Sequence, residues 1–238
     1  MKRFFISATL VMFLFGCSSN NNLDGSYKIG IDPLFEKEDF GKMTSNVNGF
    51  VDDMLLLISK DENVSFKKID TNFDVLFENL NNKKLDGIIS STNKYTFNKD
   101  LYNFSNVFLN TGPILVVSKK SKIKKLSHLY DKIVAITQND ELILLAKQKF
   151  PKVIVRNFNS DARSLNAVID NRADAAIIYS IPAGSYLFET YDNQLRILKY
   201  LSDDGLKLIT LKNNRHLINI FNRGVKNLEK IKKKFNLL

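Results

Sequence analysis

The chain has 238 residues, 44% of them hydrophobic and 11% aromatic, with only four prolines. That much apolar area offsets the entropy of ordering, so a disordered chain is excluded and one large domain or two small lobes are expected. A formal charge of +10 raises nucleic acid as a partner, but the lysines are dispersed, and the clusters at 119–125 and 230–234 read as solvated faces.

Lys2 and Arg3 precede an uncharged run over 4–15 that ends in Gly16 and Cys17. A dozen or so apolar residues cannot span a bilayer, which takes about 20, so 1–17 is read as a signal peptide. Leu14, Phe15, Gly16 and Cys17 resemble a bacterial lipobox, whose cysteine is acylated and becomes the mature N-terminus, although Phe15 is bulkier than usual there. Lipidation is therefore assigned to Cys17. As the only cysteine, it allows neither a disulfide nor a multi-cysteine metal site. Residues 18–26, rich in Asn and Ser, read as a tether. Export argues against a nucleic-acid partner, and removal of the leader takes two positive charges with it.

From Tyr27 onward, β-branched runs alternate with helical periodicity, the pattern of α/β sheets covered by helices. A strand is predicted over 27–31 and a helix over 49–59, with Phe50, Val51, Met54, Leu55 and Ile58 on one side and Asp52 and Asp53 in its first turn. A helix over 73–82 and a strand over 87–90 follow, then a polar loop through Ser91, Thr92, Asn93 and Lys94. Gly112 and Pro113 punctuate a crossing segment that leads into the apolar run 114–118. Beyond it come strand 133–136, helix 141–149, strand 153–155, helix 162–171 and strand 175–179. Asp203, Asp204 and Gly205 signal a turn before strand 206–211 and a closing helix over 217–234.

Six phrases in this order resemble the amino-acid-binding type of bacterial extracytoplasmic solute-binding proteins, family 3. "YKIGID" is similar to the opening strand with its acidic end, and "GFVDDMLLLI" to the helix that follows. "FDVLFENLNNKKLDGIIS" resembles a helix and strand ending in an apolar Ser-Gly step. "YNFSNVFLNTGPILVVS" resembles the first crossover, "NRADAAIIY" a later strand, and "DGLKLITLKNN" the return strand. The resemblance implies a type II periplasmic-binding-protein fold, two lobes with mixed, mostly parallel sheets joined by a two-crossover hinge. Lobe 1 would hold 27–111 plus 205–238, and lobe 2 would hold 112–204. It also implies the substrate-binding component of an ABC importer rather than an enzyme, with a small polar solute such as glutamine held between the lobes.

By position the resemblance puts Asp32 and Phe35 on the first ligand loop and Phe73 where an aromatic ring packs on the solute. A core aromatic and a plain loop cap are the bland alternatives for Phe73 and Asp32. Ser91 stands at the family's glycine, Asn93 at its threonine, Asn98 at its carboxylate-binding arginine and Tyr179 at its ammonium-binding aspartate. Asn139, Asp140 and Glu141 replace a Gly-Thr loop after strand 133–136. An asparagine cannot reproduce a bidentate guanidinium–carboxylate contact, so the specificity is expected to be altered. Lys94 or Lys99 is then a candidate for the solute's carboxylate, and Asp140 or Glu141 for its ammonium.

No cofactor and no metal are expected, since no His, Asp and Glu cluster has ligand spacing. The expected partners are the small solute, an inner-membrane ABC permease and the membrane itself through Cys17, with a monomeric chain at the periplasmic face. Two alternatives stay open: a binding or interaction module without transport, and a dehydratase-type enzyme. The second is the weaker, because His128 and His216 both fall at helix starts away from the strand-end loops.

Overall fold

The chain alternates strands and helices, and the structure, a computed structural model, describes residues 25–33, 47–95 and 98–235. Cys17, most of the tether and Phe35 lie outside the described residues, so their assigned roles are not addressed there. The first half comprises β1 (Ser26–Ile31), α1 (Val47–Glu62), β2 (Ser65–Ile69), α2 (Phe73–Asn81), β3 (Gly87–Ser90), β4 (Tyr102–Phe104) and β5 (Leu109–Asn110). Next come β6 (Pro113–Ser118), β7 (Ile133–Thr137), α3 (Asp140–Lys149), β8 (Ile154–Phe158), α4 (Asp161–Ile169) and β9 (Ala175–Tyr179). A short helix α5 (Ser180–Ser185), β10 (Leu195–Tyr200), β11 (Gly205–Leu211) and α6 (Arg215–Phe235) complete the order.

Two mixed sheets result. The first runs β2-β1-β3-β11-β4, with β5 also on β11, and only β11 opposes the direction of the rest. The second runs β8-β7-β9-β6-β10, and only β6 is reversed. The order is thus the same in both, each reversed strand being delivered by a crossover from the other sheet. The crossovers lie side by side: Thr111 N–H donates to Asp204 O at 3.0 Å and Leu201 N–H to Pro113 O at 2.8 Å.

Period-two alternation divides each sheet between two cores. Ile29 and Leu208 face Val51, Ile58 and Phe221 of α1 and α6, while Ile88 and Ile209 face Leu76 and Leu80 of α2. In the second sheet Ile114 and Val116 pack against Leu165 and Val168 of α4, and Leu115 and Val117 pack on the side of Leu142 and Ala146 of α3. Central strands such as β3 and β9 are apolar on both faces, as helices on both sides require. At Gly30 a Cβ would come 2.7 Å from Leu85 Cδ1 and 2.9 Å from Leu76 Cδ1, so glycine lets α2 lie close on β1.

The structure shifts several predicted elements. Because α1 starts at Val47, Asp52 and Asp53 fall in its second turn, and Asp52 pairs instead with Lys68 of β2 at 2.8 Å. The strand predicted over 153–155 forms at Ile154–Phe158, in register with β7. Strands β2, β4, β5 and β10 had no predicted counterpart, being short or, as in "SFKKI" and "LRILKY", interrupted by charges. No helix of the described residues is long and apolar enough to cross a membrane.

Candidate functional site

In open α/β sheets the groups left unpaired at the carboxyl ends of strands are the ones that meet ligands. At the end of β1, Asp32 N–H donates to Ile89 O at 2.9 Å, and the Asp32 carboxylate accepts the Ser90 hydroxyl at 2.9 Å. Only 1% of Asp32 is exposed, so it braces the end of β3 and does not face solvent. Ser90 Oγ in turn accepts Thr92 N–H at 3.2 Å and lies 3.0 Å from the Thr92 hydroxyl, which fixes the start of the loop.

Asn93 is engaged through every part of its amide. Its Nδ2 donates to Asp204 Oδ1 at 2.6 Å, its Oδ1 accepts Lys207 Nζ at 2.9 Å, and its backbone oxygen accepts Asn98 Nδ2 at 3.1 Å. Asn98 Oδ1 accepts Tyr95 N–H at 2.8 Å, and the residue is only 3% exposed. The residue at the expected guanidinium position is therefore a buried brace that ties Asn93 to Tyr95. Ser91, half-buried, offers its carbonyl to Lys207 Nζ at 3.5 Å, and Thr92 does so at 3.3 Å.

Lys207, not singled out from the sequence, and Asp204, marked there only as a turn residue, take part as well. The Asn93 amide holds the Asp204 carboxyl below its usual value, the Lys207 charge assisting and burial opposing. Burial holds the Lys207 ammonium below the usual lysine value, and the Asp204 charge opposes that shift. A signal for Lys207 was available: it is the only charge in the otherwise apolar strand "GLKLITL". A buried ammonium demands acceptors, and the loop after β3 provides them.

In the second sheet, Thr137 at the end of β7 donates to the Asp161 carboxylate in the first turn of α4. Asn139 caps α3, its Oδ1 accepting Leu142 N–H at 3.1 Å, which gives it a local structural role. Asp140 and Glu141 then occupy the first turn of α3, exposed. Glu141 Oε2 accepts the Tyr179 hydroxyl at 2.7 Å. Burial, the Glu141 hydrogen bond and charge, and the charge of Asp204 push the Tyr179 phenol up to about 12. Asp204 thus meets the β3 loop directly and the end of β9 through its field.

The remaining candidates stand apart from this group. Phe73 opens α2 and is 44% exposed, so its ring is available and is not a core aromatic. Lys94 lines a recess of 540 Å³ with Lys212, Arg215 and Asn219, and the backbone oxygen of Lys99 accepts Lys212 Nζ at 2.8 Å. Among the described residues no group of three or more His, Cys, Asp and Glu could hold a metal ion.

Known proteins resemble the chain in sequence and in fold. The chain is 25% identical, over 97% of its length and 95% of the relative's, to the arginine-binding extracellular protein ArtP of Bacillus subtilis. A shorter match, 24% identical over 53% of this chain but 10% of the other, is to the virulence sensor protein BvgS of Bordetella bronchiseptica. The L-cystine solute receptor of Neisseria gonorrhoeae, solved in an unliganded open conformation, superposes with a TM-score of 0.64 at 17% identity, covering 89% of this chain and 90% of that one. That likeness carries the fold, the type II periplasmic-binding-protein architecture. The model for bacterial extracellular solute-binding proteins, family 3, matches residues 27–235, and the chain belongs to that family of solute-binding proteins.

Proposed function

We propose that the chain is the lipid-anchored receptor of an ABC importer, catching a small polar solute of the amino-acid type between its two lobes and presenting it to an inner-membrane permease. The observation that carries the reading is the meeting of strand ends at the crossovers: Asn93 after β3 bonds Asp204, whose backbone oxygen accepts Thr111 N–H, and Tyr179 at the end of β9 stands opposite Pro113 of the same crossover. A solute seated there touches both lobes, so its binding energy favours the closed arrangement by its differential affinity for it. Ser91 and Asn93 line the lobe 1 side. Glu141, oriented by the Tyr179 hydroxyl, and Asp140 take the solute's ammonium or guanidinium group. Acyl chains on Cys17 hold the receptor at the membrane.

Native mass spectrometry of the protein purified from its own host tests the reading, since a co-purifying amino acid or close analogue is expected. Absence of any small molecule, together with unchanged radiolabelled uptake after deletion of the gene, rejects it. A sensor or interaction module without transport is the second reading, favoured by the inward-folded Asn98 and by the likeness to BvgS. It predicts that solute binds while uptake is indifferent to the deletion.

A further inference from the structure

The carboxyl end of β6, the amino ends of β7, β8, β9 and β10 and the last turn of α3 all lie at the end of the second sheet away from the crossovers. Residues 119–132, 149–153, 170–174 and 190–194 meet there, and they gather lysines. Lys120, Lys122, Lys124, Lys125, Lys149 and Lys152 are all exposed, and none makes an ion pair among the described residues. The carboxylates of this end are already spent, Asp170 on Arg172 at 3.0 Å, Asp174 on Lys132 at 3.5 Å and Asp192 on Lys119 at 3.9 Å. Asp131 is the remaining acid of these four segments. The run that reads as a solvated face in the sequence is thus part of a larger basic surface collected by the fold.

Local structure holds that surface in place. Ile123 is 6% exposed and belongs to the core on the α3 side, and its backbone oxygen accepts Arg196 Nη2 at 2.7 Å. Ser118 Oγ accepts Lys120 N–H at 3.3 Å, Ser121 Oγ accepts Ile123 N–H at 3.1 Å, and Lys119 N–H donates to Gln194 O at 2.8 Å. With the backbone pinned and Ile123 buried, the lysines on either side of it stay exposed. Beside them Tyr130 is 58% exposed and Leu126 37%, and Lys152 Nζ lies 4.6 Å from the centre of the Tyr130 ring. A large aromatic ring and a leucine left in solvent amid cations match the layers of a membrane surface, anionic headgroups over an apolar interior.

Resting on the reading of a chain held at a membrane, we propose that this end of the second lobe docks on an anionic phospholipid surface, its lysines on the phosphates and Tyr130 at the level of the headgroups. The contact gains force from where Cys17 stands. β1, parallel to β3, begins at the end of the first sheet away from the crossovers, and seven residues separate Cys17 from Gly25, a reach of at most about 30 Å. Acyl chains at one end and a basic surface at the other hold the receptor along its length on the bilayer. Because the anchor makes docking intramolecular, a modest attraction from each lysine suffices.

The test is co-sedimentation of the chain from Ser18, which carries no acyl group and keeps every described residue, with vesicles of phosphatidylcholine alone or mixed with phosphatidylglycerol. Binding is expected to the mixed vesicles only, and to fade as salt is raised. Combining Lys120→Gln, Lys122→Gln, Lys124→Gln and Lys125→Gln should weaken it by about 100- to 1000-fold, at about fivefold per lysine. Combining Lys60→Gln, Lys67→Gln, Arg215→Gln and Lys226→Gln, all exposed on the first lobe, removes the same charge and should leave binding within about fivefold. Tyr130→Ser, which keeps every charge, should weaken vesicle binding by about threefold or more while leaving retention on poly-L-glutamate unchanged. Equal binding to both kinds of vesicle, or to neither, overturns the docking surface, and that comparison needs no variant to fold. Equal losses in the two combined variants mark an effect of net charge and overturn it as well. A Tyr130→Ser protein unchanged in both assays marks affinity for any acidic partner and overturns the bilayer as the occupant. The anchor is judged separately: an unmodified Cys17 in mass spectra of the chain purified from its host overturns lipidation and leaves the vesicle result to be read by itself.

Discussion

Asn98, which the family resemblance sets at the carboxylate-binding arginine, has both ends of its amide spent inside the protein, on Tyr95 N–H and Asn93 O. Asn98→Arg is therefore expected to cost about 1–3 kcal/mol by urea unfolding, through unpaired buried groups, and to add no affinity in calorimetry. The Asp204 carboxyl, lowered in the fold, contributes stability that is present above the ordinary carboxylate pKa of ~3.9 and is lost as pH falls through the lowered value. The stability gap between wild type and Asp204→Asn, followed by urea midpoints, should be full at neutral pH and shrink in acid below about pH 4. Tyr179 behaves in the opposite sense. Its pKa, raised to about 12, lets the folded chain keep a proton that the unfolded chain releases near 10, so stability falls as pH rises between those values. Tyr179→Phe should flatten the alkaline limb of the unfolding profile. At this scale the sequence revealed which residues stood at unusual positions, Asn93, Asn98 and Tyr179 among them, but not their partners. Those bonds join residues up to 114 positions apart, as between Asn93 and Lys207, and no periodicity reports such pairings.

Among the elements, those with long apolar periodicity were legible to within two or three residues, as β3, β9 and α6 illustrate. What escaped were strands whose partner, not their composition, makes them strands. β2 and β10 lie at sheet edges and carry lysines, which protect an edge but erase the alternation. β4 and β5 are too short to show a period at all. The seam between α1 and α6 was also invisible, although it sets how closely the helices approach. A Cβ at Gly224 would lie 2.6 Å from Ile58 Cγ2, and Ile58 is fully buried. Gly224→Ala is expected to lower stability by about 1–3 kcal/mol through overpacking, and a double-mutant cycle with Ile58→Ala, which removes both crowding Cγ atoms, should show a favourable coupling.

For the whole molecule, the receptor reading has the halves turn against each other about the two crossovers, which Thr111 and Asp204 tie together. Small-angle scattering should show a smaller radius of gyration on adding a bound amino acid, and no change with Glu141→Gln if that carboxylate holds the solute's cationic end. The two-lobed plan was readable because the six phrases fall in order along the chain, whereas the matching strand order of the two sheets required the hydrogen-bond ladders to be seen. That matching order bears on how the chain comes off the ribosome. The second sheet is built from one uninterrupted stretch, β6 to β10, and is whole once Tyr200 has emerged. The first sheet, by contrast, waits with a vacancy between β3 and β4 until Gly205–Leu211 is made, so the half that begins synthesis is the half that finishes last.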